Sequence, residues 1–396
     1  MNSITRIPGH RFLHSPGPTR VPDEVLNAMH RQPMDLADPR VDELIASCEQ
    51  GLKALLKTRA TDLFMYAANG HGVWEAVIAN IAAPGQTVLV PGTGHFSDSW
   101  ALQAEAMGVR VLRTPWHEGW PMDAAAVEAA LTADTARDIV AVFAVHTDTA
   151  SGMTSDLRAI RRAIDAAAHP ALMVVDVVAS LAAEPFDMDA LGANVVLGAS
   201  QKGLMVPPGL GFVAVDAQGM AVARANTAPR YYWDWTRRQG PLSYRKFCGT
   251  PPMNLLMGLQ ASLGLIFQEG LVEVLARHQL IARTVQAAVK GWSEGGGLQL
   301  FVREPAALSA SVTTIQVSAG TDPEALRTVA RERFQVAVAG GLGSLAGRAF
   351  RIGHLGDVNP AMIMGCLAGV EAAMLVQGIP VGSGGLNAAI RVLAEG

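Results

Sequence analysis

Residues 194–204 read NVVLGASQKGL, and residues 206–211 continue as VPPGLG. A short apolar run rich in β-branched residues is typical of a buried strand, and this run leads into a single charge, Lys202. The surrounding glycines and prolines allow the backbone to approach a ligand. A charge at the mouth of a buried strand is costly unless it is paired, neutralised or used covalently, and a desolvated amine attacks carbonyls. A nucleophilic lysine is therefore one interpretation, although the less common one for such a motif alone. An ordinary lysine that reaches solvent is the alternative.

A second apolar run ends in a carboxylate. Residues 171–178 read ALMVVDVV, which predicts a buried strand with Asp176 near its end. If this strand and the one before Lys202 are parallel neighbours, their carboxyl ends meet at one edge of the sheet. An enzyme that uses pyridoxal 5'-phosphate (PLP) needs such a pair: the lysine forms a Schiff base with the cofactor, and the aspartate keeps the pyridine nitrogen protonated. The pair therefore predicts PLP as the cofactor.

These motifs resemble those of the fold-type I class V aminotransferases, in particular the serine–glyoxylate and alanine–glyoxylate branch. The resemblance is carried by Asp176 with Val178 and by residues 200–202 (SQK), and it extends from residues 16–18 (PGP) to residues 351–353 (RIG). It implies an α/β fold in which a mostly parallel seven-stranded sheet lies between helices. A smaller C-terminal α+β domain would follow this large domain.

Alternating strand and helix patterns lead to the same fold class. Such alternation is typical of a mostly parallel sheet covered on both faces, with ligands bound beyond the carboxyl ends of its strands. We expect an N-terminal arm over residues 1–22, a large cofactor-binding domain over residues 23–265 and a small domain over residues 266–396. The strands predicted for the large domain are 62–68, 87–90, 109–113, 139–145, 172–178, 195–199 and 211–216.

Composition narrows the possible functions. The chain has 396 residues, of which 50% are hydrophobic, so it can form more than one core. A net charge of −4 without clusters of basic residues argues against a nucleic-acid surface. The three cysteines are far apart, which matches no metal-ligand spacing and suits a reducing compartment. No apolar run follows the N-terminus, and the apolar residues 361–376 include Glu371 and are too short to span a bilayer. We therefore expect a cytoplasmic protein without a metal or a membrane partner.

Residues 69–72 (NGHG) lie between a predicted strand and a predicted helix. The unpaired N–H groups at a helix N-terminus attract anions, and glycines let the backbone approach them. An ordinary turn with an asparagine cap is the alternative. Given the lysine–aspartate pair, the phosphate of the cofactor is the favoured ligand, and the resemblance places Asn69, Gly70 and His71 beside it.

Two further strand ends carry candidate cofactor contacts. Residues 92–97 (GTGHFS) lack the third glycine of a dinucleotide-binding motif. The resemblance implies that Phe96 stacks on the pyridine ring, with His95 as a substitute or a plain core phenylalanine as the alternatives. Within residues 146–152 (HTDTASG), Thr149 matches the family's hydroxyl that bonds the phenolic oxygen of PLP, whereas a simple turn and helix cap is the other reading.

The remaining candidates lie far apart in the chain. Arg351 is a charge within an apolar strand pattern, and a guanidinium can hold a substrate carboxylate with two hydrogen bonds; a surface arginine is the alternative. The resemblance places Pro16 and Gly17 beside the substrate. It also implies a homodimer, with tetramers left open, in which Thr250 reaches the phosphate of the neighbouring subunit. Where the family usually has a tyrosine near this threonine, the chain has Phe247. With Lys202 and Asp176 as the catalytic pair, the implied cofactor contacts are Asn69, Gly70, His71, Phe96, Thr149, Asp176, Val178, Gln201, Lys202 and Thr250.

Together these features predict a ping-pong aminotransferase that works through a Lys202 Schiff base. The resemblance implies serine, alanine or aspartate as amino donor and a small 2-oxo acid, above all glyoxylate, as acceptor. The donor is open, because residues 35–38 (DLAD) and 67–70 (AANG) depart from the serine–glyoxylate pattern. A pyridoxamine–pyruvate transaminase is an alternative, since residues 146–149 (HTDT) and 351–354 (RIGH) resemble that enzyme too.

A PLP lyase of the cysteine desulfurase type is the rival from another reaction class. It would need a cysteine on a mobile loop near the site. The glycine-rich residues 340–347 contain none, and Cys48 and Cys366 lie in predicted helices, so this function is disfavoured.

Overall fold

The computed structural model describes residues 9–60, 62–240 and 242–396, which form two main sheets and the helices around them. The strands are β1 Phe12–His14, β2 Asp62–Tyr66, β3 Thr87–Val90, β4 Arg110–Arg113, β5 Ile139–Val145, β6 Thr147–Asp148, β7 Met153–Thr154, β8 Leu172–Asp176, β9 Val195–Ala199, β10 Gly211–Val215, β11 Leu298–Leu300, β12 Val312–Val317, β13 Val336–Gly340 and β14 Ala349–Gly353. The α-helices are α1 Asp23–Met29, α2 Pro39–Leu56, α3 Gly70–Ile81, α4 His95–Ala106, α5 Ala124–Ala133, α6 Leu157–Ala166, α7 Met188–Leu191, α8 Ala217–Ala225, α9 Trp235–Arg238, α10 Ser243–Lys246, α11 Met253–Glu269, α12 Leu271–Ser293, α13 Pro323–Arg333, α14 Pro360–Val376 and α15 Gly385–Glu395.

The larger sheet confirms the predicted fold class. Its seven strands lie in the order β2-β10-β9-β8-β5-β3-β4. All neighbours are parallel except β10, which runs antiparallel to both β2 and β9. The two strands that lead to Asp176 and Lys202, β8 and β9, are adjacent and parallel. The carboxyl ends of these strands therefore meet at one edge, as the sequence predicts.

Helices cover both faces of this sheet, and each face has its own apolar core. Side chains along one strand alternate between the two cores because successive residues of a strand point to opposite faces. In β3, Val88 and Val90 belong to one core and Leu89 to the other. The continuous apolar runs in the sequence follow from this double burial.

The second sheet has five strands in the order β1-β13-β14-β12-β11. It packs with α12, α14 and α15 around a third core. Glu371, the charge in the apolar residues 361–376, accepts a hydrogen bond from the indole of Trp292 at 2.6 Å. Strand β1 was not predicted: the structure pairs it in parallel with residues 336–338 of β13, so part of the predicted N-terminal arm belongs to this sheet.

Two helices begin earlier than their apolar periodicity predicts. Helix α3 begins at Gly70 because the side chain of Asn69 accepts a hydrogen bond from the N–H of Gly72 at 3.2 Å. Helix α4 begins at His95, where the hydroxyl of Ser97 accepts a hydrogen bond from the N–H of Gly94 at 3.3 Å. Both early starts bring a first helical turn to the carboxyl edge of the large sheet.

Among the described helices, none is by itself long and apolar enough to cross a membrane. Helices α11 and α12 satisfy the length and composition only as a pair, and the pair is bent by 85°.

Candidate active site

A cavity of about 250 Å³ lies at the carboxyl ends of the parallel strands. It is where the structure brings together most of the predicted site residues. Those that line it are Gly17, Asn69, Gly70, His71, Phe96, Thr149, Asp176, Val178, Gln201 and Lys202.

Lys202 follows β9 and is held at the cavity by the N-terminal segment. Its Nζ donates a hydrogen bond to the carbonyl oxygen of Pro16. The hydroxyl of Thr19 donates to the carbonyl oxygen of Lys202 at 3.1 Å, which fixes the backbone beside the amine. Burial lowers the pKa of Lys202 to about 8; the charge of Arg351 acts in the same direction, and the carboxylate of Asp176 opposes it. Near neutral pH a useful fraction of this amine is therefore uncharged and nucleophilic.

Asp176 ends β8, and each of its carboxylate oxygens has a donor. Oδ1 accepts a hydrogen bond from the N–H of Val178 at 2.6 Å, and Oδ2 accepts one from the indole Nε1 of Trp74 at 2.7 Å. Burial raises the pKa of Asp176 to about 6, and the two hydrogen bonds and the charge of Lys202 oppose that rise. The carboxyl group is thus mostly ionised at neutral pH and can accept a further hydrogen bond from a cationic ring nitrogen.

Arg351 lies in β14 of the second sheet and is buried. Its Nε donates to the carbonyl oxygen of Gly340 at 2.6 Å and its Nη1 to that of Thr149 at 2.8 Å. No described residue accepts a hydrogen bond from Nη2. Burial lowers the pKa of Arg351 to about 10, so the guanidinium is charged at neutral pH. Arg351 does not itself line the cavity, but through Thr149 it contacts the cavity wall.

The first turn of α3 and an unpartnered polar atom of Gln201 both lie at the cavity. Gly70 and His71, in the first turn of α3, line the cavity. The Oε1 atom of Gln201 is buried and has no hydrogen-bond partner among the described residues. Because buried polar atoms nearly always have partners, this one marks a place where a polar ligand group belongs.

The other predicted residues are divided. Phe96 lines the cavity, whereas His95, the alternative stacking residue, lies against the glycine-rich residues 340–347: a Cβ built on Gly343 would be 3.1 Å from its Nδ1. Thr250 lies in an exposed groove with Pro33 and neighbouring residues, outside the Lys202 cavity. Its predicted role in a neighbouring subunit, like the individual ligand contacts of the cavity residues, stays a prediction.

Trp74 and Thr147 are among the cavity residues that the sequence analysis did not predict. Trp74 lies on α3 four residues after Gly70, and residues four apart share one face of a helix. An earlier start for α3 would have placed its indole at the cavity. Thr147 also lines the cavity and lies two positions before Thr149. Its hydroxyl is hydrogen-bonded to that of Thr154 at 2.8 Å.

Comparisons with known proteins decide the family. The family described as Aminotransferase class-V matches residues 11–352. The chain is a class-V aminotransferase. This aminotransferase is 39% identical to L-aspartate–glyoxylate aminotransferase of Paracoccus denitrificans over 93% of each chain. It is 36% identical to serine–glyoxylate aminotransferase of Methylorubrum extorquens over 99% of its own length and 98% of the relative. Pyridoxamine–pyruvate aminotransferase from Mesorhizobium loti has the same fold, with a TM-score of 0.89 and 25% identity over 99% of this chain and 100% of the other.

The cavity of this class-V aminotransferase fits PLP, the cofactor of the family. An amine for the aldehyde, a carboxylate for the ring nitrogen and a helix N-terminus for the phosphate all meet in it. The unpartnered Oε1 of Gln201 lies on the same wall. No described group of three or more histidine, cysteine or acidic side chains could hold a metal ion.

Proposed function

We propose that the chain transfers an amino group from a small amino acid, such as serine, alanine or aspartate, to a small 2-oxo acid, with glyoxylate as the main acceptor. Two of the relatives named above are aminotransferases of glyoxylate, one with aspartate and one with serine. The observation that carries the proposal is the meeting of Lys202 and Asp176 in one cavity, with the charged Arg351 behind its wall.

The residues divide the work by chemistry. When bound, PLP supplies an electron sink and a carrier for the amino group between two half-reactions. Lys202 would hold the cofactor, and its Nζ would accept the proton from the substrate Cα, because its lowered pKa makes the neutral amine available. Asp176 orients the ring through its nitrogen. Arg351 binds the substrate carboxylate with the side of its guanidinium that no described residue uses.

The proposed cofactor contacts involve residues that line the cavity. The first turn of α3, with Asn69, Gly70 and His71, would anchor the phosphate, and Gln201 would lie beside the cofactor. Phe96 packs on the ring, and the hydroxyl of Thr149 bonds its phenolic oxygen. These roles are carried over from the resemblance and are supported by the shared cavity.

The test is to purify the protein with PLP and add single amino acids without any 2-oxo acid. We expect the visible absorbance of the bound cofactor to be lost with a small amino acid, most rapidly with the physiological donor. Added glyoxylate should then restore the band. Persistence of the band with every amino acid would contradict the proposal that the donor is a small amino acid.

A pyridoxamine-type transaminase is the second candidate, and the similarity to the Mesorhizobium loti structure favours it. The same experiment separates the two. Consumption of free pyridoxamine with pyruvate, together with no reaction of any amino acid, would replace the first proposal by the second.

The lyase alternative finds no support in the placement of the cysteines. Cys48 and Cys366 are buried in α2 and α14, and burial raises the pKa of both thiols, that of Cys48 to about 12. The third cysteine, Cys248, does not line the cavity.

We propose further that the enzyme is a homodimer, as the resemblance implies. Exposed apolar side chains lie at or near the groove that holds Thr250: Leu36, which lines it, is 41% exposed, and Tyr244, whose carbonyl oxygen accepts a hydrogen bond from the N–H of Gly249, is 59% exposed. Such side chains are typical of an interface. Sedimentation of the holoenzyme should give the mass of a dimer or a higher even-numbered assembly, and a monomer at micromolar concentration would contradict the proposal.

A further inference from the structure

A buried carboxylate without a role in the proposed chemistry lies beside the cavity. Asp148 is fully buried at the end of β6. Its Oδ2 accepts hydrogen bonds from the N–H of Phe96 at 2.8 Å and from the hydroxyl of Thr93 at 3.2 Å. Its Oδ1 accepts from the N–H of Ala150 at 2.8 Å and, more weakly, from that of Ser151 at 3.4 Å. Four donors from two loops therefore converge on one side chain.

These hydrogen bonds join the two loops that carry the predicted ring contacts. Phe96 lies in the first turn of α4, and Thr149 follows Asp148 directly. Both side chains line the cavity. One carboxylate thus ties the backbone at Phe96 to the backbone that follows Thr149.

The charge of Asp148 has a second consequence. Arg351 forms no ion pair with any described residue, and its two hydrogen bonds go to carbonyl oxygens. Asp148 is the acidic group that favours the charged form of Arg351, and it also favours the ammonium form of Lys202. Asp148 is held by its four donors, and no ion pair joins it to Arg351. It therefore compensates the guanidinium charge from a fixed position without covering the guanidinium.

We propose that Asp148 is a positioning residue that locks Phe96 and Thr149 around the cofactor and stabilises the charge of Arg351 while leaving that guanidinium available to the substrate carboxylate. The proposal rests on the proposed function, because it assumes that PLP and a carboxylate substrate occupy the cavity.

The test uses Asp148→Asn, which keeps the size of the side chain, removes its charge and turns an amide N–H₂ toward part of the donor set. We expect the dissociation constant of PLP, measured by equilibrium dialysis, to rise at least about tenfold, the effect of losing a hydrogen bond to a charged acceptor. A wild-type dissociation constant in a folded Asp148→Asn protein would overturn the proposal.

A second readout needs no cofactor. In the apoprotein, the pH at which the Lys202 amine becomes reactive toward an acylating reagent, followed by mass spectrometry of its peptide, should shift downward in Asp148→Asn, because a charge that favours the ammonium form is lost. A purely structural role predicts no shift in that direction. If the wild-type protein bound no PLP, the proposed function would fail, whereas this readout would still test the charge of Asp148.

Two variants serve as controls. Asp123→Asn removes the same kind of carboxylate, which accepts hydrogen bonds from Ala125 and Ala126 at the start of α5, away from the cavity, and should change neither readout. Thr93→Val removes one of the four donors and no charge, so PLP should bind a few-fold more weakly with no pH shift. If Asp148→Asn does not fold, Thr93→Val decides, and unchanged PLP binding would then overturn the proposal.

Discussion

Lys202 and Arg351 serve one proposed reaction from two different sheets. Lys202 follows a strand of the seven-stranded sheet, whose parallel neighbours bring side chains to a common edge. Arg351 lies within a strand of the five-stranded sheet, where its guanidinium is held by the carbonyl oxygens of Gly340 and Thr149. The first arrangement suits a cofactor that stays bound, and the second suits a substrate carboxylate that comes and goes. We therefore expect substitutions near Lys202 to weaken PLP binding and substitutions near Arg351 to raise KM for the substrates.

The largest expected effect is that of Lys202→Ala. The variant loses the covalent hold on PLP and the group that moves the proton, so activity should fall by about 10²–10⁴-fold or more, and the visible band of the bound cofactor should be absent. Lys290→Ala, at an exposed position of α12, is the control and should behave as wild type. A variant at position 202 that keeps the wild-type spectrum would place the nucleophile elsewhere.

Arg351→Ala tests the other side. We expect KM for both the amino acid and the 2-oxo acid to rise roughly 10- to 100-fold, the loss of one or two charge-assisted hydrogen bonds, with PLP still bound. Arg348→Ala removes a nearby exposed arginine that bonds Glu118 and should leave KM unchanged. Loss of PLP with an unchanged KM would instead mean that Arg351 supports cofactor binding and does not bind the substrate carboxylate.

Gly17→Ala tests the contact between the N-terminal segment and the side chain of Lys202. Gly17 has a φ of +119°, and a Cβ there would lie 2.6 Å from the Nζ of Lys202, so the added methyl group must displace the amine. Weaker PLP binding by about tenfold is the expected result, since such a conflict costs about 1–3 kcal/mol. Gly320→Ala introduces similar backbone strain at a φ of +87° with no atom within 4 Å of the new Cβ. If both variants bind PLP equally well, Gly17 does not position the lysine.

Trp74→Phe should have the smallest effect. The change keeps an aromatic ring but removes the indole N–H that Asp176 accepts, so the pKa of Asp176 should rise and PLP should bind about fivefold more weakly. Trp100→Phe is a matched control, because the indole Nε1 of Trp100 is buried without a partner and its ring stacks on Trp74 at 5.6 Å. Equal PLP binding by the two variants would remove Trp74 from the support of Asp176.

Much of the large sheet could be predicted from the sequence because its strands are buried on both faces. Continuous apolar runs predicted β3, β5 and β9 at the residues that the structure assigns to them. The parallel order of β8 and β9 then brought Asp176 and Lys202 together without any long-range information. The ends of such strands can be predicted from local sequence, and the parallel order of the strands places those ends at one edge of the sheet.

Other parts of the site depend on contacts that no local pattern reveals. Strand β1 has three residues and is paired by a partner near the other end of the chain. The indole of Trp74 reaches Asp176 only because α3 starts at an asparagine cap that apolar periodicity does not detect. The sequence pattern around Asp148 predicts only an ordinary turn residue. The hydrogen bonds that it accepts from Thr93 and Phe96 are visible only in the structure. The role of Thr250 requires a second subunit, which one chain does not supply.

The pairing of β1 with β13 also bears on how the protein is made. The imidazole of His14 and the carbonyl oxygen of Gly353 are hydrogen-bonded although they lie 339 positions apart in the chain. Because β13 follows every strand of the large sheet in the chain, β1 can be paired only after all of those strands have been synthesised. The carbonyl oxygen that accepts the hydrogen bond from Lys202 Nζ belongs to Pro16, two residues after β1. All strands of the large sheet can therefore be present before the cavity around Lys202 is complete.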